Sequence, residues 1–432
     1  MQETVSFKKK YNRFKDFFML LLFLWAGGAT PIVKFYSSEL PWIFFINIVI
    51  LGIYFCKYSR KSIRIKSLML PLLIFAIWYI LICIKYDGVQ PTDLYLVYSA
   101  IIAFVGWQIF PSLQEFILYF ERILVKLSIL SLIVWGSATI LPFMGALYDK
   151  FAIYHTSGIE SSNYIIVSYG HQAVTGLSGM YRNLGFAWEA GRFSSILVIG
   201  LFFNLLIHGF KIQNRDFWIL LVALISTFST TGIGAFAVVI FFYMYNKSVA
   251  AKFYIIPLVI LLIPTLVALP MVGDKILNNM DYERELGQMY YAFDNMGYTM
   301  ITPQRFTGLY LDWLNFIHDP FLGYNINENS YMMKFLFNGY NVWLSDGLIQ
   351  IISKYGIIIG LIFYIYLFKT SRFLTACYKC KGRCLFAFCF MLLNISYDFW
   401  GTGLFFYIVF YPLGGMIRNK ETLNNYLIWK RK

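Results

Sequence analysis

Long apolar runs recur along most of the chain and are separated by short polar segments. A helix needs about 20 consecutive apolar residues to cross the roughly 30 Å hydrocarbon core of a bilayer. The pattern therefore predicts an all-α, polytopic membrane protein with a single membrane domain over residues 1–432. We expect twelve spans, near residues 17–35, 41–56, 68–84, 93–110, 123–146, 193–210, 217–229, 231–245, 253–272, 347–368, 384–397 and 399–416.

Residues 217–245 fit either one long helix or two short spans joined by a turn. The polar and glycine-containing stretch 229–234 favours the turn. Backbone groups that a turn frees inside a membrane need protein partners, because lipid offers none. We therefore expect two spans, with protein donors bonded to the turn between them.

Lys and Arg are distributed unevenly between the two sides of the predicted membrane. Of 36 such residues, 25 lie on the side that holds both termini and ten on the other. Cytoplasmic loops carry an excess of Lys and Arg, so both termini are predicted to be cytoplasmic. The net charge of +14 thus reflects topology and does not indicate nucleic-acid binding. The two longest polar segments, 147–192 and 273–346, are predicted to be external loops.

Composition agrees with a membrane protein and narrows the function. The chain is 59% hydrophobic and only 13% charged, far from the averages of soluble proteins. The longest predicted cytoplasmic segment has about sixteen residues and contains no GxxxxGK[ST] or GxGxxG motif, which excludes a nucleotide-binding domain within this sequence. Cys377, Cys380 and Cys384 form a CxxCxxxC pattern, but three thiols without a nearby His are an incomplete zinc set. We predict no metal and no cofactor.

The first external loop ends in YRNLGFAWEAGRFSS, which contains Arg182, Glu189 and Arg192. Glu189 and Arg192 are three residues apart and fit either an ion pair in the first turn of a helix or functional groups. Arg182 has no acid so close in sequence. Its planar, permanently charged guanidinium suits a phosphate or pyrophosphate ligand.

The second external loop contains RFTGLYLDWLNFIHDPFLGYN, from Arg305 onward. Its apolar residues recur at helical spacing, which predicts an amphipathic helix that lies in the membrane interface and ends before Pro320. Trp313 and Trp343 fit either interfacial anchors or the wall of a sugar or prenyl groove. His318, just before Asp-Pro, is interpreted as a turn residue rather than a catalytic one.

Together these segments resemble the O-antigen and capsular polysaccharide polymerases of the Wzy type, which share a superfamily with the O-antigen ligases. The resemblance covers about residues 180–365. It rests on three motifs: Arg182-x-x-Gly185-Phe186-x-Trp188-Glu189 before a span, then Arg305, Trp313, Pro320 and Gly323 at the usual spacing, then SDGLIQIISKYGIIIG from Ser345 to Gly360.

The resemblance implies a metal-independent glycosyltransferase of the bacterial inner membrane. It would transfer a growing glycan from undecaprenyl pyrophosphate to a lipid-linked repeat unit at the outer face, with membrane lipid, a flippase and a chain-length regulator as partners. Arg182 and Arg305 would hold the pyrophosphate. Arg192 and Arg284 are further candidate ligands of the substrate. Glu189 or Asp346 would accept the proton of the attacking hydroxyl.

Two departures from the family bear on this expectation. Ligases carry a His-Asn pair where this chain has Ser345 and Asp346, which favours a polymerase over a ligase. An arginine that some members carry between the paired short spans is replaced here by the sequence 229–231, Ser-Thr-Thr. A ligase-like glycan transferase and a polysaccharide or lipid transporter remain the alternatives.

The charge distribution generates a topological prediction. Reporter fusions at Asn163 and Asn327 should be periplasmic, and a fusion at Cys380 should be cytoplasmic, because Lys and Arg are concentrated on the cytoplasmic side. Alkaline phosphatase and green fluorescent protein fusions measure the two locations. A cytoplasmic signal at Asn327 would overturn the assignment of the external site.

Overall fold

A computed structural model gives the fold of part of the chain. It describes residues 12–26, 46, 49–50, 52–54, 66–86, 95–110, 112–150, 161–163, 168–170, 181–247, 281–296, 300–301, 303–324, 329–338, 340–342, 344, 347–395, 397–399 and 402–412. The predicted span 253–272 and the candidate site residues Trp343 and Asp346 lie outside the described residues. Most of the span 41–56 and the second half of 17–35 also lie outside them.

The described residues are mostly helical, as the sequence predicts. The helices are α1 Arg13–Leu21, continued by a π-helical turn over Leu22–Ala26, α2 Lys66–Tyr86, α3 Tyr95–Ile109, α4 Leu113–Ile140, α5 Pro142–Asp149, α6 Ala190–Ile207, α7 Arg215–Ser226, α8 Thr230–Lys247, α9 Tyr282–Met296, α10 Arg305–His318, α11 Gln350–Cys377, α12 Leu385–Asn394 and α13 Gly403–Val409. Among the described helices, α4, α6 and α11 are long and apolar enough to cross a membrane.

Short strands occur in the two segments predicted to be external loops, a small departure from an all-α fold. Strands β1 Ser161–Asn163, β2 Ser168–Gly170 and β3 Arg182–Gly185 form an antiparallel sheet in the order β1-β2-β3. Strands β4 Met300–Ile301 and β5 Asn341–Val342 pair in parallel. These segments lack long apolar runs, so their backbone groups are satisfied between strands instead of within helices.

The predicted span 123–146 begins ten residues earlier in the structure, at the start of α4. Charged residues precede the predicted span, and the fold pairs two of them with residues of α1. Lys15 lies 2.7 Å from Glu115, and Arg122 lies 3.3 Å from Asp16. Because each charge has a partner, the helix continues through the charged stretch.

Residues 217–245 form two helices joined by a turn, as predicted, rather than one long helix. Helix α7 ends at Ser226 and α8 begins at Thr230, and Phe228 between them has a positive φ of 49°. Both helices pack against α6, which also contacts α4. Nearly every side chain of α6 from Ala190 to Leu206 is buried, as expected for a helix that is apolar on all sides. Helix α6 is therefore the centre of the bundle.

Residues 281–344 form a separate layer with its own small core. Its buried side chains are Met289, Phe293, Leu311, Met332, Met333, Phe337, Val342 and Leu344. Polar contacts join this layer to the bundle through Asp312 of α10, which is fully buried and accepts hydrogen bonds from Ser353 at 2.7 Å and Tyr324 at 3.3 Å. The layer is therefore fixed to α11 rather than tethered loosely.

Helix α10 begins at Arg305 and ends before Pro320, as predicted. The distribution of polar and apolar side chains between its two faces is the reverse of that in a helix at the surface of a soluble protein. The inward face is largely polar, with Thr307, Asp312 and Asn315 all buried. The outward face carries apolar side chains that are 38%, 45% and 52% exposed, namely Phe306, Trp313 and Ile317. A face of this kind suits contact with an apolar medium.

The segment 320–324 inserts into a break in α11 at Gly356. Gly356 has φ 79° and ψ 165°, a conformation essentially restricted to glycine. The N–H of Ile357 donates to the carbonyl of Pro320 at 2.8 Å, and the N–H of Tyr324 donates to the carbonyl of Ser353 at 3.1 Å. A Cβ at position 356 would overlap the carbonyl of Phe321. Close backbone contact therefore requires glycine here.

We expect Gly356→Ala to lower the thermal midpoint of the detergent-purified protein. The substitution combines a strained backbone, which costs about 1–3 kcal/mol, with the overlap described above. Gly287→Ala is the matched control, because that helical glycine has open space around its Cβ position and should be neutral or slightly stabilising. Equal midpoints for the two variants would contradict the backbone insertion.

Candidate functional site

Three of the four residues predicted to be catalytic come together in the structure. The guanidinium of Arg305 forms an ion pair with Glu189 at 3.3 Å, across 116 residues of sequence. The hydroxyl of Tyr397 donates to the same carboxylate oxygen, Oε1, at 2.5 Å. We call Arg182, Glu189, Arg192, Arg305 and Tyr397 the arginine cluster. The fourth predicted catalytic residue, Asp346, lies outside the described residues.

Glu189 is held at the start of α6 by the strand and turn that precede it. Gly185 ends β3 with a φ of +58°, and the ring of Phe193 packs against it. Glu189 then has an extended backbone and occupies the N-cap position of α6. Two residues later, a Cβ at Gly191 would overlap the hydroxyl of Tyr397. Glycine at this position allows Tyr397 to approach Glu189.

Arg305 is fixed because the first turn of α10 is capped by a side chain from α9. One carboxylate oxygen of the buried Glu285 accepts from the N–H of Gln304, and the other accepts from the hydroxyl of Thr307, both at 2.5 Å. An acid at a helix N-terminus is also favoured by the helix dipole. Arg305, the first residue of this helix, therefore projects from a rigid end.

Arg182 supplies the protein donors that the turn between α7 and α8 was predicted to need. Its Nε donates to the carbonyl of Thr227 at 3.0 Å, and an Nη donates to that of Phe228 at 3.3 Å. Burial lowers the pKa of Arg182, and the neighbouring Tyr397 and Glu189 oppose that shift. Arginine titrates so far above neutrality that it stays charged. Arg182 thus has a structural role in addition to any contact with a ligand.

The ring of Tyr397 contacts two guanidinium groups of the cluster. The guanidinium carbon of Arg305 lies 4.7 Å from the ring centroid, and that of Arg192 lies 5.7 Å from it. Arg192 also lies 5.1 Å from the ring of Trp188. Cation–π contacts of this kind orient a guanidinium without neutralising it. The cluster keeps three positive charges against the single carboxylate of Glu189.

Tyr397 was not predicted from the sequence. It lies between α12 and α13, in a connection that the apolar pattern assigned to the end of a span. With 33 tyrosines in the chain, residue type alone gives no signal. The adjacent Asp398 is the one local hint, since an acid between two apolar helices is unusual.

Two predicted ligands lie apart from the arginine cluster. Arg284 is exposed on the first turn of α9, where its backbone N–H bonds to Asp281 at 3.1 Å. Trp313 lies on the exposed face of α10, 5.5 Å from the ring of Phe316. Within the described parts of the chain, neither forms a hydrogen bond, ion pair or ring contact with the cluster. Trp343 lies outside those parts.

The geometry suits recognition of an anion with several oxygens beside a carboxylate. Three guanidinium groups supply directional donors for phosphate oxygens, and Glu189 supplies a proton acceptor. Comparison with protein-family models, with curated proteins and with solved structures finds no match. The interpretation of the site therefore rests on its residues and their geometry.

We expect Tyr397→Phe to lower the thermal midpoint, because it removes a hydrogen bond to a carboxylate while leaving the ring in place. Hydrogen bonds to charged groups contribute about 1.5–3 kcal/mol. Tyr291→Phe is the control, since that side chain is exposed on α9 and its change should fall within about 0.5 kcal/mol. Differential scanning fluorimetry in detergent measures both, and an unchanged midpoint for Tyr397→Phe would argue against the contact with Glu189.

Proposed function

We propose that the protein is a polysaccharide polymerase of the bacterial inner membrane. It transfers a growing O-antigen or capsular glycan from undecaprenyl pyrophosphate to a lipid-linked repeat unit. In this proposal the chain has twelve spans and cytoplasmic termini, and residues 147–192 and 273–346 face the periplasm. The arginine cluster then lies at the outer face of the membrane, where both lipid-linked substrates arrive.

The observation that carries the proposal is the contact between Arg305 and Glu189. These residues belong to two sequence motifs in separate segments, and the resemblance implies a pyrophosphate ligand for Arg305, while Glu189 is a candidate proton acceptor. An ion pair that formed by chance between two surface loops would not be expected to involve further residues. Here Tyr397 also donates to the carboxylate, and Arg182 lies close enough to interact with it electrostatically. The side chains of Arg305 and Glu189 are only 28% and 19% exposed.

The charge balance of the cluster supports a pyrophosphate ligand. The cluster contains three arginines and one glutamate, a composition that complements the two negative charges of a diphosphate diester. The guanidinium groups come from β3, α6 and α10, so they surround the anion from different directions. Arranged donors of this kind stabilise the negative charge that develops on a leaving group.

The reaction then follows from the position of each group. The acceptor hydroxyl oxygen bonds to the anomeric carbon of the donor glycan. The bond from that carbon to the pyrophosphate oxygen breaks, and its electron pair leaves with undecaprenyl pyrophosphate. The hydroxyl proton passes to Glu189. When the pyrophosphate takes over Arg305, the carboxylate of Glu189 is released from its ion pair. Substrate binding thereby frees the proton acceptor to contact the attacking hydroxyl.

We expect Arg305→Ala to reduce polymerisation about 10²–10³-fold, the loss typical of one transition-state charge contact. Arg305→Lys should restore activity only in part, because lysine provides a point charge without the two-pronged guanidinium. Chain elongation from purified lipid-linked repeat units measures the rates. Arg182→Ala should also lose activity, but its thermal midpoint must be compared, since Arg182 holds the turn between α7 and α8.

Two controls make this experiment decisive. Arg215→Ala removes a positive charge that is 81% exposed at the other end of the bundle, and it should retain activity. His318→Ala should retain most activity, because His318 stacks on Tyr331 at the exposed end of α10. Unchanged chain lengths with Arg305→Ala and Arg182→Ala would reject the proposal. Movement of labelled glycan across vesicles without elongation would indicate a transporter, and a lost activity in His318→Ala alone would indicate a ligase-like enzyme.

A further inference from the structure

A second polar cluster lies at the other end of α6 from the arginine cluster. It consists of Glu121 on α4, His208 at the C-cap of α6 and Asp216 in the first turn of α7. Helix α6 has 18 residues, so the two clusters are about 27 Å apart along its axis. The second cluster therefore has no part in the proposed reaction and needs an explanation of its own.

The three side chains have the spacing of metal ligands. One nitrogen or oxygen atom from each lies within 4.8 Å of the others, and Nε2 of His208 is 3.1 Å from Oε1 of Glu121. Ligand atoms bound at about 2.0–2.2 Å around a tetrahedral ion lie roughly 3–4 Å from one another. Asp216 is 35% exposed and pairs with the exposed Arg215 at 3.4 Å. A small closure of its side chain toward His208, in exchange for that surface ion pair, would complete the set.

Glu121 is a buried acid whose carboxylate lies within the cluster. The side chain is only 7% exposed, and both Asn204 and His208 contact the same oxygen, Oε1. A carboxylate buried at this depth needs its charge compensated. A divalent ion held between Glu121, His208 and Asp216 would supply that compensation.

Two asparagines hold the ligands in position as outer partners. Asn214 caps α7 by accepting from the N–H of Phe217 at 2.8 Å, which fixes the turn that carries Asp216. Its amide exchanges hydrogen bonds of 3.1 Å with the amide of Asn204, and Asn204 in turn donates to Glu121. Hydrogen-bonded partners of this kind orient the residues that ligate metals.

We propose that Glu121, His208 and Asp216 bind a divalent transition-metal ion that joins α4, α6 and α7. One imidazole nitrogen and two carboxylate oxygens form a mixed donor set that fits Zn²⁺ better than Mg²⁺ or Ca²⁺, which prefer oxygen alone. The two carboxylates neutralise the charge of the ion. The competing explanation is an ion pair between protonated His208 and Glu121, which binds no metal.

Cobalt titration of the full-length protein separates these explanations. The protein is purified in detergent, treated with chelator and titrated with Co²⁺ while visible and near-ultraviolet absorption is recorded. Nitrogen and oxygen ligation gives d–d bands alone, whereas thiolate ligation by Cys377, Cys380 and Cys384 adds an intense charge-transfer band. A variant with all three cysteines replaced by serine serves as a further control.

We expect one Co²⁺ per chain with d–d bands and no thiolate band, and competition by Zn²⁺. Glu121→Gln, His208→Ala and Asp216→Asn should each weaken binding at least about 10–100-fold. Glu115→Gln, the same change elsewhere on α4, should leave it unaltered. If Glu121→Gln fails to fold, Asp216→Asn provides the test, because the side chain of Asp216 is partly exposed and its replacement should leave the fold intact. No binding by the wild-type protein, equal affinity in the ligand variants, or bands lost only in the cysteine variant would overturn the proposal.

Discussion

The position of the whole polar layer depends on one backbone contact, the insertion of residues 320–324 into the break of α11 at Gly356. Two backbone hydrogen bonds close this contact. It is reinforced from α2, because the indole of Trp78 donates to the carbonyl of Leu322 at 3.0 Å and Tyr86 donates to Asp319 at 2.7 Å. These bonds fix the position of the C-terminal end of α10. Because the helix is rigid, the position of its N-terminal end is then fixed as well. The place of Arg305 at the candidate site therefore follows from a contact at the far end of its own helix.

The arginine cluster shows how a protein can bury positive charge without neutralising it. Arg182 donates to two backbone carbonyls that a membrane could not satisfy, while Arg192 and Arg305 lie against the aromatic ring of Tyr397. Within the cluster, Glu189 offers the opposite charge. Carbonyl dipoles and aromatic faces compensate part of the desolvation of each guanidinium. The three guanidinium groups are thereby held close together in a partly buried position, where electrostatic contacts are stronger than in water.

Apolar runs were sufficient to predict most of the described helices, and the polar stretch 229–234 was sufficient to predict the turn between α7 and α8. Helix α4 begins before the predicted span because single-sequence patterns treat a charge as a loop signal, whereas Glu115 is paired by a residue 100 positions away. For the site, residue chemistry selected Arg182 and Glu189, and the family resemblance implicated Arg305; Arg305 and Glu189 are in contact. Tyr397 was not predicted, because its role depends on its proximity in the folded structure to Glu189, which is 208 residues away in sequence. Pairings between distant segments are set by packing, and one sequence carries no direct record of them.

Because the polar face of α10 is buried and its apolar face is exposed, the layer formed by residues 281–344 depends on its surroundings for stability. Residues 281–344 bury hydroxyl, amide and carboxylate groups against α11 and turn aromatic rings outward. An excised fragment would lose the partners of its polar face and would present its apolar face to water at the same time. Each loss favours self-association, so the layer is not an independent folding unit despite its small core. Its native structure is defined jointly by the helix beneath it and by the amphiphilic medium, lipid or detergent, that surrounds it.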